Sequence, residues 1–407
     1  KKKQEADNCK NASYIVLLQF IPYLIASNMT RLLFISLFLI YANIGFCKRE
    51  EFYAIAACKV KDVFSHPTTS DYQQELNKYF KENNLPGAIL AFKRGTESVW
   101  VGAIGKANLD AGIPMQSHTK FRIGSITKVF IGVTILKLAE EKKLTLEDPL
   151  TQWLPEVKGN IPEAQKITIR MLLNHTSGIF DPKNDDSTYI KKIEKEPDYI
   201  GNMDIKNRLK NYVYRKALLF SPGTQYHYSN SGYWLLGMII EQITKKKLQL
   251  VLEEAIFLPA KMSNTYYEKR NDIEVAHGYF NIDGSLTDVT IYDRADGDGD
   301  PSSGIISTAE DLIKFGNALF YGKLISKASL EQMKVTSKLQ GCDNGDCENG
   351  LGIERWKTKS STGYGHNGSS IGYDVNWIYF PDKDINIVSF ANKGGGTVKN
   401  FIENVLN

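Results

Sequence analysis

Two hairpin patterns, one near each end of the foldable part of the chain, enclose a long middle that reads as helix. Residues 88–92 and 98–103 are apolar runs joined by Lys93-Arg94-Gly95-Thr96-Glu97, a polar link between two strands. Residues 373–380 and 385–392 repeat the pattern around the turn Pro381-Asp382-Lys383-Asp384. Between them, 125–142, 169–173, 204–214, 231–245 and 308–319 carry apolar residues at helical spacing. Strands from opposite chain ends meet most simply in one sheet. The expected fold is therefore an α/β (α+β) sandwich: an antiparallel sheet formed by the two chain ends, flanked by helices, with an inserted helical subdomain. A cleft between sheet and subdomain is the expected site.

The chain of 407 residues is long enough to bury a sizeable core. Its start is different in kind. Residues 14–26 and 32–47 are apolar stretches preceded by basic residues, and Met29-Thr30-Arg31 opens the second like a signal peptide. Met29 is thus the expected start, with 1–28 upstream of it. The expected organisation is an export signal or anchor over 1–47, a tether over 48–70 and the folded domain over 71–407, in a chain that is exported, periplasmic or extracellular, released or held at a membrane by its N-terminal segment. Ile55-Ala56-Ala57-Cys58 resembles a lipoprotein box, but Lys48-Arg49-Glu50-Glu51 separates it from the apolar core it would have to follow. Cys342 and Cys347 flank the turn-rich Asp343-Asn344-Gly345-Asp346 and form the natural disulfide pair of an oxidising compartment. With 50 Lys and Arg against 46 Asp and Glu, scattered along the chain, the charge argues against a nucleic-acid partner.

Three motifs carry chemistry. Gly124-Ser125-Ile126-Thr127-Lys128 opens a strongly apolar helix, which places Ser125 near the unsatisfied N–H groups of a helix start and Lys128 one turn later on the same face. A lysine there can accept the serine proton if burial lowers its pKa. The spacing alone says little, since Ser-x-x-Lys arises by chance about once or twice in such a length. Tyr228-Ser229-Asn230 offers a phenol to relay a proton and an amide to hold a carbonyl, and it stands on a loop entering the helix at 231. Tyr41-Ala42-Asn43 and Tyr279-Phe280-Asn281 fit the same bare pattern, so only the setting distinguishes it. His366-Asn367-Gly368, just before the strand at 373, combines an anion-binding or proton-sharing side chain with a glycine that lets substrate approach the backbone.

In this order the three motifs resemble the penicillin-recognising serine enzymes, a family that includes class C β-lactamases, D-alanyl-D-alanine carboxypeptidases and related esterases. Supporting phrases are similar as well: Leu146-Glu147-Asp148-Pro149-Leu150, Leu172-Leu173-Asn174-His175-Thr176-Ser177-Gly178 and Ser303-Gly304-Ile305-Ile306-Ser307-Thr308. The resemblance implies a serine hydrolase with Ser125 as acylated nucleophile, Lys128 as its base, Tyr228 as proton relay and Asn230 as ligand of substrate and lysine. It further implies His366 and Gly368 along the substrate edge, the backbone N–H groups of Ser125 and Ser369 as oxyanion hole, and His175 as a brace. The substrates implied are D-alanyl peptides, with β-lactams or small esters as alternatives and peptidoglycan as a partner. No metal or organic cofactor is implied. His366 replaces the lysine of most β-lactamases, which weakens the fixed charge for a substrate carboxylate. No Glu-x-x-x-Asn segment for a deacylating water is found, so rapid penicillin hydrolysis is not expected.

Three rival readings remain to be weighed. Gly368-Ser369-Ser370-Ile371-Gly372 matches a nucleophile elbow, but that fold needs a histidine after the serine and His366 is the last one. Asp296, Asp298 and Asp300 hint at calcium, yet Pro301 takes the place of the loop glycine, and a flexible acidic loop near the cleft is expected instead. A protein of this fold that is acylated and never turns over, a β-lactam sensor, is the non-enzymatic reading.

Overall fold

The computed structural model describes residues 69–267, 272, 274–336, 339 and 347–395. All of them belong to one compact unit, Phe64–Asn407. Cys58, Cys342 and the side chain of Cys347 lie outside the described residues, and with them the expected disulfide.

In chain order the strands are β1 (Gly87–Arg94), β2 (Trp100–Asn108), β3 (Ile113–Pro114), β4 (Phe121–Arg122), β5 (Tyr279–Ile282), β6 (Ser285–Asp288), β7 (Ile306–Ser307), β8 (Cys347–Asn349), β9 (Glu354–Lys357), β10 (Thr362–Ser369), β11 (Asp374–Phe380) and β12 (Ile385–Ala391). Eight of them form one antiparallel sheet in the order β3-β2-β1-β12-β11-β10-β9-β8. The two chain ends join near its middle, with Ala88 opposite Ala391 and Arg94 opposite Ile385.

The central strands are apolar on both sides because both faces are covered. Four helices matter here: α1 (Thr69–Glu82), α2 (Thr127–Glu140), α3 (Asn230–Thr244) and α4 (Ala309–Phe320). Tyr72, Leu76 and Tyr79 of α1 cover Leu90, Phe92, Ile378 and Ile387, with the Tyr72 ring 4.3 Å from that of Phe92. On the opposite face Ile89, Val375, Trp377 and Phe390 share one core with α2, α3 and α4. Helix α2 is buried almost all round, from Thr127 to Leu136 and again at Leu138. A helix without a polar face has no stable place except the centre of the molecule.

Two expectations meet this architecture differently: the first is sharpened, the second corrected. The first placed His366, Asn367 and Gly368 just before the strand at 373, with His366 and Gly368 along the substrate edge of a strand; they lie inside β10, ahead of β11 and paired with its Trp377, Asn376 and Val375. Glycines hide β10 from a reading of apolar alternation, and packing requires them: a Cβ on Gly363 would stand 2.5 Å from Ile378 Cγ2. The second concerns export and membrane anchoring. Among the described residues no helix is long and apolar enough to cross a membrane. The longest, α3, has 15 residues where a span needs about 20. The stretches behind that expectation, 14–26 and 32–47, lie outside the described residues, so nothing in the structure carries it.

Candidate active site

Ser125 stands in a single 3-10 turn, Gly124–Ile126, that feeds directly into α2. Gly124 makes this turn at a φ of +50°, a conformation that costs an L side chain strain, and its missing side chain also lets β10 approach. Gly368 on β10 meets the turn from the other side: a Cβ there would lie 2.0 Å from the Ile123 carbonyl oxygen and 3.3 Å from the Ser125 nitrogen. A Cβ on Gly124 would in turn lie 3.3 Å from the Ser369 nitrogen. Two glycines thus bring the backbone N–H groups of Ser125 and Ser369 close together, as an oxyanion hole requires.

Lys128 follows one turn later and is fully buried. Its Nζ donates to Ser125 Oγ at 3.0 Å, to Asn230 Oδ1 at 2.8 Å and to the Ser302 carbonyl at 2.9 Å. Burial pushes its pKa from the usual 10.5 down to about 7, helped by the Lys183 cation and opposed by Asp300, Asp181 and Glu354. A lysine poised near neutrality can exchange a proton with the serine it touches. Tyr228 completes the group. Its hydroxyl is a hydrogen-bond partner of Ser125, and its ring lies 4.8 Å from Lys128 Nζ. Burial holds the Tyr228 pKa well above the usual 10, so the phenol keeps its proton at neutral pH.

The loop carrying Tyr228 is templated by the Asn-His-Thr-Ser-Gly phrase. Leu219, Gly223 and His227 donate backbone N–H bonds to the carbonyls of Gly178, Thr176 and His175 at 2.8, 2.8 and 2.9 Å. His175 Nδ1 accepts from the Ser229 N–H at 3.1 Å, and its ring stacks on Tyr228 at 4.3 Å. Burial lowers the His175 pKa well below 6.5, which leaves the acceptor nitrogen free of a proton. Ser229 then caps α3, its Oγ accepting from the Gly232 N–H, so that Asn230 begins the helix beside Lys128.

His366, buried on β10, has its ring 6.4 Å from that of Tyr228. Desolvation lowers its pKa, against the pull of Glu354 at 3.6 Å. Glu354 is itself buried and accepts from Trp356 Nε1 at 2.9 Å and from the Asn367 N–H at 3.2 Å. The site therefore brings together Ser125, Lys128, Tyr228, Asn230, His366, Gly368 and Ser369, all seven of the residues expected from the sequence.

Residues 71–406 match the family model described as Beta-lactamase. The chain belongs to the beta-lactamase family. It is a serine hydrolase of the β-lactamase fold, and its solved relatives agree in shape. A D-stereospecific amidohydrolase from Streptomyces sp. superposes with a TM-score of 0.72 at 26% identity, over 82% of this chain and 97% of that one. A penicillin binding protein from Bacillus halodurans gives 0.70 at 26%, over 81% and 98%. Penicillin-binding protein 4* of Bacillus subtilis is 29% identical over 77% of this chain and 69% of its own length. Protein flp of Staphylococcus aureus is 31% identical over 50% of this chain but only 40% of its own.

Sequence reasoning missed other residues of this hydrolase's site. Ser302 acts through its carbonyl, which any residue would supply. Asp181 is fully buried and accepts from the Asn230 N–H at 3.0 Å and from Asn230 Nδ2 at 2.8 Å, which turns Oδ1 toward Lys128. The phrase Gly178-Ile179-Phe180-Asp181 could have suggested it, as a carboxylate just beyond a motif. The expected flexible acidic loop is corrected outright: Asp298 and Asp300 are buried, and each of the three carboxylates meets a cation. Asp298 pairs with Arg122 at 3.1 Å, and Asp296 and Asp300 both pair with Lys183 at 3.0 Å. Among the described residues no group of three His, Cys, Asp or Glu side chains is arranged to hold a metal ion.

Proposed function

We propose that this hydrolase works through an acyl-enzyme on Ser125, with small D-alanyl peptides as its leading substrates and penicillins as acylating agents of the same serine. The observation that carries the reading is the Lys128 ammonium site, 3.0 Å from Ser125 Oγ and tuned to about 7. Lys128 in its neutral form takes the Ser125 proton as Oγ attacks the substrate carbonyl. The oxyanion that forms is held by the N–H groups of Ser125 and Ser369. Tyr228, protonated at neutral pH, donates to the departing nitrogen, and the lysine proton restores it. In deacylation the same pair serves an incoming water. Asn230 orients both Lys128 and the substrate amide. The relatives named penicillin-binding proteins and amidohydrolases fit this chemistry.

A second reading is favoured by one observation. His366 carries no fixed charge and has Glu354 beside it, so the edge where a terminal carboxylate would bind is poor in positive charge. That suits an amide or ester of a D-amino acid better than a free carboxylate, as the likeness to a D-amino acid amidase from Ochrobactrum anthropi SV3 also suggests: TM-score 0.68 and 25% identity over 82% of this chain and 96% of that one.

Intact-mass time courses of the full chain with benzylpenicillin, beside turnover assays on a D-alanyl-D-alanine peptide and on D-alanine amide, separate the readings. An adduct that is absent in Ser125→Ala, with hydrolysis of the peptide, supports the first. Hydrolysis of the amide alone, with penicillin unconsumed, supports the second. Hydrolysis of either by Ser125→Ala would sink both.

A further inference from the structure

We infer that Asp300 is a positioning residue for the lysine base: with Lys183 and Arg208 it forms a buried cluster that holds both of the acceptors orienting Lys128. The inference rests on the reading of Lys128 as base. Asp300 is fully buried and saturated with partners. Its Oδ1 accepts from the Ser302 N–H and from Ser302 Oγ, each at 2.6 Å. This clamps the residue whose carbonyl receives Lys128 Nζ. Its Oδ2 accepts from Trp234 Nε1 at 2.8 Å, and Trp234 lies one turn after Asn230 on α3, so the same carboxylate fastens the helix that carries the second acceptor. Oδ2 also meets Lys183 at 3.0 Å and Arg208 at 3.5 Å. Lys183 sits two residues beyond Asp181, the carboxylate that turns Asn230 toward the lysine.

Such a cluster is costly to bury unless each charge is matched, and a purely apolar filling would serve stability as well. What the charges add is control over Lys128. The charged groups facing that lysine are Lys183, which disfavours its protonation, and Asp300, Asp181 and Glu354, which favour it; Ser125, Tyr228, Tyr233, His175 and His366 are further polar or titratable neighbours. Lys183 and Asp300 therefore act on the base with opposite signs.

The test is the pH profile of kcat/KM for a chromogenic D-amino-acid ester, measured on the full chain. Its acid limb reports loss of the neutral lysine. In Lys183→Met the limb is expected to move up by about one pH unit, because a cation near Lys128 is gone. In Asp300→Asn it is expected to move down by a similar amount while the plateau falls about 10- to 100-fold, because Ser302 and α3 lose their anchor. Trp234→Phe removes one hydrogen bond and no charge; it should lower the plateau several-fold and leave the limb in place. Limbs that stay at the wild-type position in both charge variants would show a merely structural cluster and overturn the inference. Should Asp300→Asn fail to give a cooperative melt, Lys183→Met decides, since Asp300 keeps Arg208 there, and an unmoved limb counts against the inference. An acid limb that persists in Lys128→Ala would instead remove the base reading itself.

Discussion

Lys128 shows what a reactive site costs a single residue. Its ammonium group sits without solvent beside another cation, and three hydrogen bonds only partly compensate. The folded pKa of about 7 lies below the usual 10.5. The unfolded chain therefore binds this proton more readily, and stability rises with pH between those values and has lost the whole contribution below about 7. The span corresponds to on the order of 5 kcal/mol. Chemical denaturation at pH 7 and at pH 9.5 is expected to show this rise in the wild type and a much flatter response in Lys128→Met, which should also be inactive. Tyr228 makes a different prediction. Its hydroxyl bonds Ser125 while its ring is supported by His175. In stopped-flow acylation assays Tyr228→Phe should slow the step by about 100-fold or more, with a melting temperature close to that of the wild type. The serine and lysine could be offered from the sequence because three residues along a helix is a local relation, though it took the order of all three motifs to single them out, whereas the roles of Glu354 and Asp300 were not legible, because their partners are contributed by distant segments.

At the scale of elements, the site is a meeting of three backbones: the turn before α2, the loop before α3 and strand β10. Residues 175–178 read as a phrase in the sequence, but only the structure shows that their carbonyls act as a template for the 219–227 loop. Strand β10 escaped detection for the reason that makes it useful. Its glycines remove the apolar signal and at the same time let it approach the serine turn. Gly368→Ala tests this: the added Cβ would meet the Ile123 carbonyl, and β10 must retreat from the turn. Steady-state assays should show kcat/KM lower by about 100-fold if the Ser369 N–H holds the oxyanion as proposed, since it is displaced from the serine turn. Thermal unfolding should show a cost of similar size, about 1–3 kcal/mol, with the fold retained.

The whole molecule depends on pairing its two ends. Strand β12 lies between β1 and β11, with the first helix α1 closing one face of all three. Removing β12 would leave two inner edges unpaired and expose both apolar faces. A chain ending at residue 382 is therefore expected to show no cooperative thermal transition by circular dichroism, even though every side chain of the Ser125, Lys128 and Tyr228 group is still present.

The sequence by itself determined the sheet made from both ends and the helical middle, because periodicity is a local property of the chain, and it offered the serine, lysine, tyrosine and asparagine of the site as short motifs whose joint order, by family resemblance, set them apart from chance matches. It could not determine the width of the sheet, the strand character of residues 362–369 or the buried cluster around Asp300. Those were decided by tertiary structure, since a glycine is accepted for what packs against it and a buried carboxylate for the cations that other segments bring to it.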